Sequence, residues 1–404
     1  MSSNPLKLRA GQSRLNLADS ELLDFQYLRT LSYELYGAAS VGEVVRVAHE
    51  IALQGGSREA YIAAWTAQGR RNAERAQAAA RLGQRQTART YFLRAYNYLR
   101  AAEFFFDRHA QDNFHAIYFE SVAAFDQAVA LLETPVEKID IPLEAGVDMP
   151  GYFFKPERDE RPRATVIVSG GGDGHGEELY FLGGVPEALA RGLNVLLFHG
   201  PGQRGLLHRH GQQVMRPDAE VPIGAVVDYA LSRSDVDPQR LALYGMSFGG
   251  YLAPRAAAHD ARIKALIANA PIRNFYELLS KQPQEAKASG EQAPARDWAW
   301  EALIDNYMLW NTGATSLPDF VAKARSYTLE GLEQRIVCPT LVLSAEGEGE
   351  EARAQAQQFY QALPGPKRFY LLASADGAES HCGLGNIALT SALVYDWITE
   401  TFAC

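Results

Sequence analysis

The residues Gly245-Met246-Ser247-Phe248-Gly249 stand directly behind the apolar run Leu241 to Tyr244 and ahead of an alanine-rich stretch reaching Ala258. An apolar run, a turn bracketed by glycines and a run of helix formers read together as strand, sharp turn, helix. The turn holds its central residue in a strained backbone conformation, and side chains two residues before or after it would collide. Gly245 and Gly249 satisfy that demand. The Ser247 hydroxyl is then presented at the carboxyl end of the strand. The backbone N–H of Phe248, at the helix start, points where an oxyanion would form.

At 404 residues the chain suits two domains, or one large domain carrying an insertion and an extension. Hydrophobic residues make up 47% and charged residues 22%, an ordinary globular balance. A net charge of −9 argues against a nucleic-acid partner, because a phosphate backbone would be repelled. No run of 18 apolar residues exists and the first twenty residues lack a secretory apolar stretch, so the expectation is a cytoplasmic protein with no membrane partner. Cys338, Cys382 and Cys404 are too few and too close to the end for a disulfide framework or a structural zinc site, and no metal or other cofactor is expected.

Two textures divide the chain. Residues 1–135 read as a helical domain, clearest from Arg85 to Arg108, where Phe92, Ala95, Leu99, Ala102 and Phe106 form an apolar stripe. Arg94, Asn97, Arg100 and Glu103 fall off the stripe and predict a wet face. A similar helix is predicted over Ala60 to Ala80, with Leu82-Gly83 as the turn between them. Over 136–404, short apolar runs alternate with helical segments: Ile139 to Leu143 and Gly151 to Phe154 as a hairpin, then runs starting at Thr165, Val195, Leu241, Ala265, Thr340 and Phe369. That alternation predicts an α/β fold with a mainly parallel, doubly wound sheet. Ligands of such sheets bind beyond the carboxyl ends of the strands. The alternation lapses over about 274–332, where Trp298, Trp300 and Trp310 suggest a helical insertion, either packed on the surface or serving as a lid.

An activated serine needs a base, and the base an orienting acid, in the order Ser, acid, His. His381, in the loop beyond the last strand, is the candidate base; His259, on the helix after the turn, is the other histidine beyond Ser247. The loop after the strand at Thr340 holds no aspartate but several glutamates. Glu348, with glycine on each side, is the candidate acid, and Glu346 and Glu350 compete with it. A second oxyanion donor is expected in the loop Ser169 to Gly176, first from Gly172 and next from Gly171, with Asp173 beside them as a substrate-side candidate. A phosphate-binding reading of that loop fails on spacing, since neither G-x-G-x-x-G nor a Walker lysine is present.

With these residues placed, the sequence resembles the α/β-hydrolase superfamily, and within it the group of 2,6-dihydroxypseudooxynicotine hydrolase and the fungal hydrolases that shorten polyketide pigment precursors. The resemblance runs through the helical segment from Thr87 to Phe105, Pro150-Gly-Tyr152, His199-Gly-Pro-Gly-Gln203, Ser247-Phe-Gly-Gly250, Cys338-Pro-Thr340, Glu346-Gly-Glu348-Gly349 and Gly377-Ala-Glu-Ser-His-Cys382. It implies a serine hydrolase with Ser247 as nucleophile, His381 as base and Glu348 as acid. It further implies a small-molecule substrate, cleaved at a ketone C–C bond or an ester through an acyl enzyme, and a homodimer as a candidate assembly. Acyl transfer with cyclisation, and a non-catalytic helical interaction module, are the competing readings. Two departures stand out: glutamate where many relatives have aspartate, and Arg204 where many have glycine, which places an arginine at the substrate entrance. Glu277 is the nearest match to a further acidic residue that assists some members.

Overall fold

The computed structural model describes residues 14–281 and 297–403. Cys404 and the middle of the expected insertion, 282–296, lie outside the described residues. The chain forms two compact units, one of residues 14–133 with 297–308 and the other of residues 134–281 with 309–403. The expected insertion is therefore divided between them.

The first unit is helical: α1 (Glu21–Ser32), α2 (Val41–Leu53), α3 (Arg58–Arg81), α4 (Arg85–Phe104) and α5 (Gln111–Val129). The Ser57 side chain caps α3 by accepting the Ala60 N–H, and Gly83, at φ +71°, makes the turn into α4. The predicted wet face of α4 is not wet. Asn97, Arg100 and Glu103 are at most 1% exposed. Asn97 Nδ2 donates to the carbonyls of Thr30 and Ala38, both at 2.9 Å. Arg100 donates to Thr30 Oγ1 at 3.1 Å and to Asn97 Oδ1 at 3.2 Å, and its guanidinium lies over the Tyr33 ring. Polar residues at helical spacing form a buried network here because α1 and the loop after it close over that side. Trp298, from the later segment, fills an aromatic cluster in the same unit, 5.9 Å from Tyr61 and 5.2 Å from Phe105.

The second unit is built on one sheet: β1 (Val136–Glu144), β2 (Val147–Phe154), β3 (Arg163–Ser169), β4 (Asn194–Phe198), β5 (Val236–Met246), β6 (Ala265–Asn269), β7 (Thr340–Ala345) and β8 (Lys367–Leu372), in the order β1-β2-β4-β3-β5-β6-β7-β8. β1 and β2 pair antiparallel as a hairpin and β2 joins β4 antiparallel, while every other neighbouring pair is parallel. β4, β6 and β7 are buried along their whole length, as strands covered on both faces must be, whereas the edge strand β8 is half exposed. All eight apolar runs of the sequence are strands. Parallel β5, β6 and β7 thus deliver their carboxyl ends, Met246, Asn269 and Ala345, to one rim. No described helix is long and apolar enough to cross a membrane.

Because Asn97 satisfies two buried carbonyls at once, Asn97→Ala should cost about 2–3 kcal/mol of stability. Thermal and urea unfolding check this, and an unchanged midpoint would contradict the buried-network description.

Candidate active site

Ser247 sits between β5 and the helix Gly249–His259 with φ at +59°, a left-handed conformation that costs a non-glycine residue energy and persists only where its surroundings impose it. A side chain at Gly245 would strike the Gly249 carbonyl and come 2.6 Å from Ala253 Cβ. One at Gly249 would strike the carbonyls of Ser169 and Gly170. The Ser247 N–H is held by the Asn269 carbonyl at 3.1 Å. The ring of Phe248 is wedged among Tyr251, Phe275 and Tyr327, with centroids 5.0–5.6 Å apart, so the elbow rests on an aromatic cluster.

His381 Nε2 lies 2.9 Å from Ser247 Oγ, and Nδ1 lies 2.8 Å from Glu348 Oε1. A carboxylate can only accept, so in the neutral ring the proton sits on Nδ1 and the Nε2 lone pair faces the serine hydroxyl. Glu348 is buried and also accepts the N–H groups of Cys382 and Ala345, both at 3.3 Å. Glu346 turns elsewhere, accepting from Ser374 N–H at 2.8 Å and Ser374 Oγ at 2.6 Å. Glu350 opens the helix Glu350–Ala362. Burial disfavours the imidazolium of His381, but the adjacent Cys382 sulfur and the Glu348 carboxylate outweigh it and raise the pKa above its ordinary value. Glu348, His381 and Cys382 are also the one described group whose donor atoms lie within 4.8 Å of one another, close enough for a metal ion.

The glycine loop after β3 lies against the nucleophile. A Cβ on Gly171 would come 2.7 Å from Ser247 Cβ, 2.8 Å from Oγ and 3.2 Å from the Phe248 nitrogen. Gly172 faces Met215 and Asn311 instead, and its carbonyl accepts from Asn311 Nδ2. Asp173 is half-buried on the same loop. Arg204 is fully buried, with its guanidinium 4.9 Å from the centre of the Trp310 ring, so it is packed inside the unit and does not stand at an open rim. Glu277 lies on the helix Phe275–Ser280 and pairs with Lys281 at 2.6 Å. His259 is exposed, its Nδ1 2.9 Å from the Arg255 carbonyl.

Three supporting residues gave no signal of their own in the sequence. Asn269, fully buried at the end of β6, donates to the Cys382 carbonyl at 3.1 Å and so ties the histidine loop to the strand that also holds the Ser247 N–H. His199 Nδ1 accepts the Gly205 N–H at 2.9 Å, which leaves Nε2–H to donate to Glu177 at 3.2 Å in a buried pair. Gln203 bonds the glycine loop. His199 and Gln203 fall inside the His199 to Gln203 motif of the family resemblance, which does not show what either side chain holds.

Residues 187–403 match the model of the prolyl oligopeptidase family, and residues 52–289 match that of the FrsA-like esterases. The chain is 31% identical to the 20-hydroxy-prefusarin hydrolase FUS2 of Gibberella moniliformis, over 95% of this chain and 97% of the relative. It is 30% identical to the hydrolase ORFZ of Pyricularia oryzae over the same shares, and 33% identical to the alpha/beta hydrolase xenA of Xenoacremonium sinensis over 83% of this chain and 84% of the relative. The crystal structure of 2,6-dihydroxy-pseudo-oxynicotine hydrolase shares the fold, with a TM-score of 0.72 at 20% identity over 92% of this chain and 95% of the other.

Removing the negative charge beside His381 removes part of what favours its imidazolium, so Glu348→Gln should lower the histidine pKa by roughly one unit or more. Titration of the His381 ring by NMR checks this, and an unmoved midpoint would contradict it.

Proposed function

The chain belongs to the α/β-hydrolase superfamily and is a hydrolase, and on that premise we propose that it cleaves a ketone C–C bond or an ester of a polyketide-like or aromatic small molecule through an acyl enzyme on Ser247. The observation that carries the reading is the unbroken hydrogen-bond chain from Ser247 Oγ through His381 to Glu348, at 2.9 and 2.8 Å, on a serine held at φ +59°. The substrate class rests on the resemblance of the motifs and on relatives such as the 20-hydroxy-prefusarin hydrolase.

In this mechanism His381 Nε2 takes the Ser247 proton as Oγ attacks the substrate carbonyl. The resulting oxyanion accepts from the Phe248 N–H and from the Gly171 N–H, Gly171 being the loop residue on which a Cβ would crowd Ser247 Oγ. Collapse of the tetrahedral intermediate expels a stabilised carbanion, or an alkoxide, which leaves with the proton held by His381. Water, deprotonated by the same imidazole, then attacks the acyl enzyme and frees the acid and Ser247. Glu348 accepts the Nδ1–H of His381 throughout and stabilises the imidazolium of both steps.

Ser247→Ala should keep the fold, lose reaction with a fluorophosphonate probe and lose kcat by roughly a thousandfold or more. Mass spectrometry of the wild-type protein with candidate ketones and esters should find the acyl group on Ser247. Normal turnover by a clean Ser247→Ala preparation would overturn the proposal.

A further inference from the structure

Gln203 is 3% exposed, and its side-chain amide makes three hydrogen bonds, all to backbone. Oε1 accepts the Gly200 N–H at 2.7 Å, while Nε2 donates to the Gly170 carbonyl at 2.9 Å and to the Gly171 carbonyl at 3.4 Å. The amide has one consistent orientation, since the reverse would set its oxygen against two carbonyls and its NH2 against an N–H.

Those two carbonyls belong to the peptide units that carry the N–H groups of Gly171 and Gly172. A trans peptide places its C=O and N–H on opposite edges, and no cis peptide is present among the described residues. Pinning the Gly170 carbonyl on Gln203 therefore turns the Gly171 N–H away from Gln203. Gly171 is where the loop runs so near the nucleophile that a Cβ would come 2.8 Å from Ser247 Oγ and 3.2 Å from the Phe248 nitrogen. A glycine loop without side chains has little else to hold its peptide planes, because glycine tolerates most backbone conformations. The Gly172 carbonyl, one unit further on, is held separately by Asn311.

We infer that Gln203 is a positioning residue for the reaction: by holding the carbonyls of Gly170 and Gly171 it fixes the second oxyanion donor before substrate arrives. The inference rests on the serine-hydrolase reading above. An oxyanion donor that must first rotate into place loses the advantage of preorganisation, so the loss falls on the transition state and not on substrate binding.

Two variants separate this role from a merely structural one. Gln203→Glu keeps the acceptor for the Gly200 N–H but replaces the donor to the loop with a carboxylate that repels both carbonyls. Gln203→Met keeps the length, is uncharged and removes all three bonds. With p-nitrophenyl butyrate as substrate, each should lower kcat by roughly ten- to a hundredfold, short of the hundred- to thousandfold of an oxyanion donor removed outright, with KM changed less than about threefold. Affinity for phenylboronic acid, whose tetrahedral adduct on Ser247 needs the same donors, should fall in parallel. Thermal melts show whether each variant is folded at the assay temperature, and Gln203→Met decides the matter if the buried carboxylate of Gln203→Glu unfolds the protein. Wild-type protein labelled on Ser247 by a fluorophosphonate, together with a folded Gln203→Met of unchanged kcat, would overturn this inference alone. Absence of Ser247 labelling in wild-type protein would overturn the serine-hydrolase reading and this inference with it.

Discussion

Where the first turn of the helix Gly249–His259 passes the end of β3, the carbonyls of Ser169 and Gly170 fill the space a side chain on residue 249 would need. This backbone-to-backbone contact sets how near the glycine loop comes to Ser247, and hence whether two N–H groups from different segments can face one oxygen. The left-handed Ser247 follows from it, since the chain must reverse within a few residues to pass from β5 into that helix. The strain is borne by the parallel strands on either side, which are buried and paired along their lengths.

The histidine loop is anchored to the same frame from the other side. Asn269 holds the Ser247 N–H with its backbone carbonyl and the Cys382 carbonyl with its side chain, so nucleophile and base share one fixed reference on β6. Cys382, itself at φ +58°, sends its N–H to Glu348. The three polar side chains thus sit on three loops whose positions are coupled through buried hydrogen bonds and not through the loops' own stiffness.

Apolar runs separated by helical periods made the eight strands and their mainly parallel pairing readable from sequence, because a strand buried on both faces has little choice of composition. The elbow was readable because its glycines answer a steric demand at fixed spacing. What could not be read were interactions that depend on distant chain. Asn97, Arg100 and Glu103 look solvated because polar residues at helical spacing usually are, and nothing local announces that α1 will cover them. Arg204 looks like a rim residue in the sequence, but Trp310, roughly a hundred positions further along the chain, lies against its guanidinium. Gln203 and Asn311 are common amides whose value lies wholly in which carbonyls they meet.

The helical unit is discontinuous in the chain, and this bears on the order in which the protein can be made. Trp298 Nε1 donates to the Gly56 carbonyl across 242 residues, and its indole closes the cluster around Tyr61 and Phe105. During synthesis the ribosome delivers α1 to α5 first, then six strands of the sheet, and only afterwards the segment that completes the helices. A contact of that sequence separation carries a high loop-closure cost and is of the kind that slows folding. The aromatic cluster of the helical unit therefore stays incomplete until Trp298 has been added to the chain.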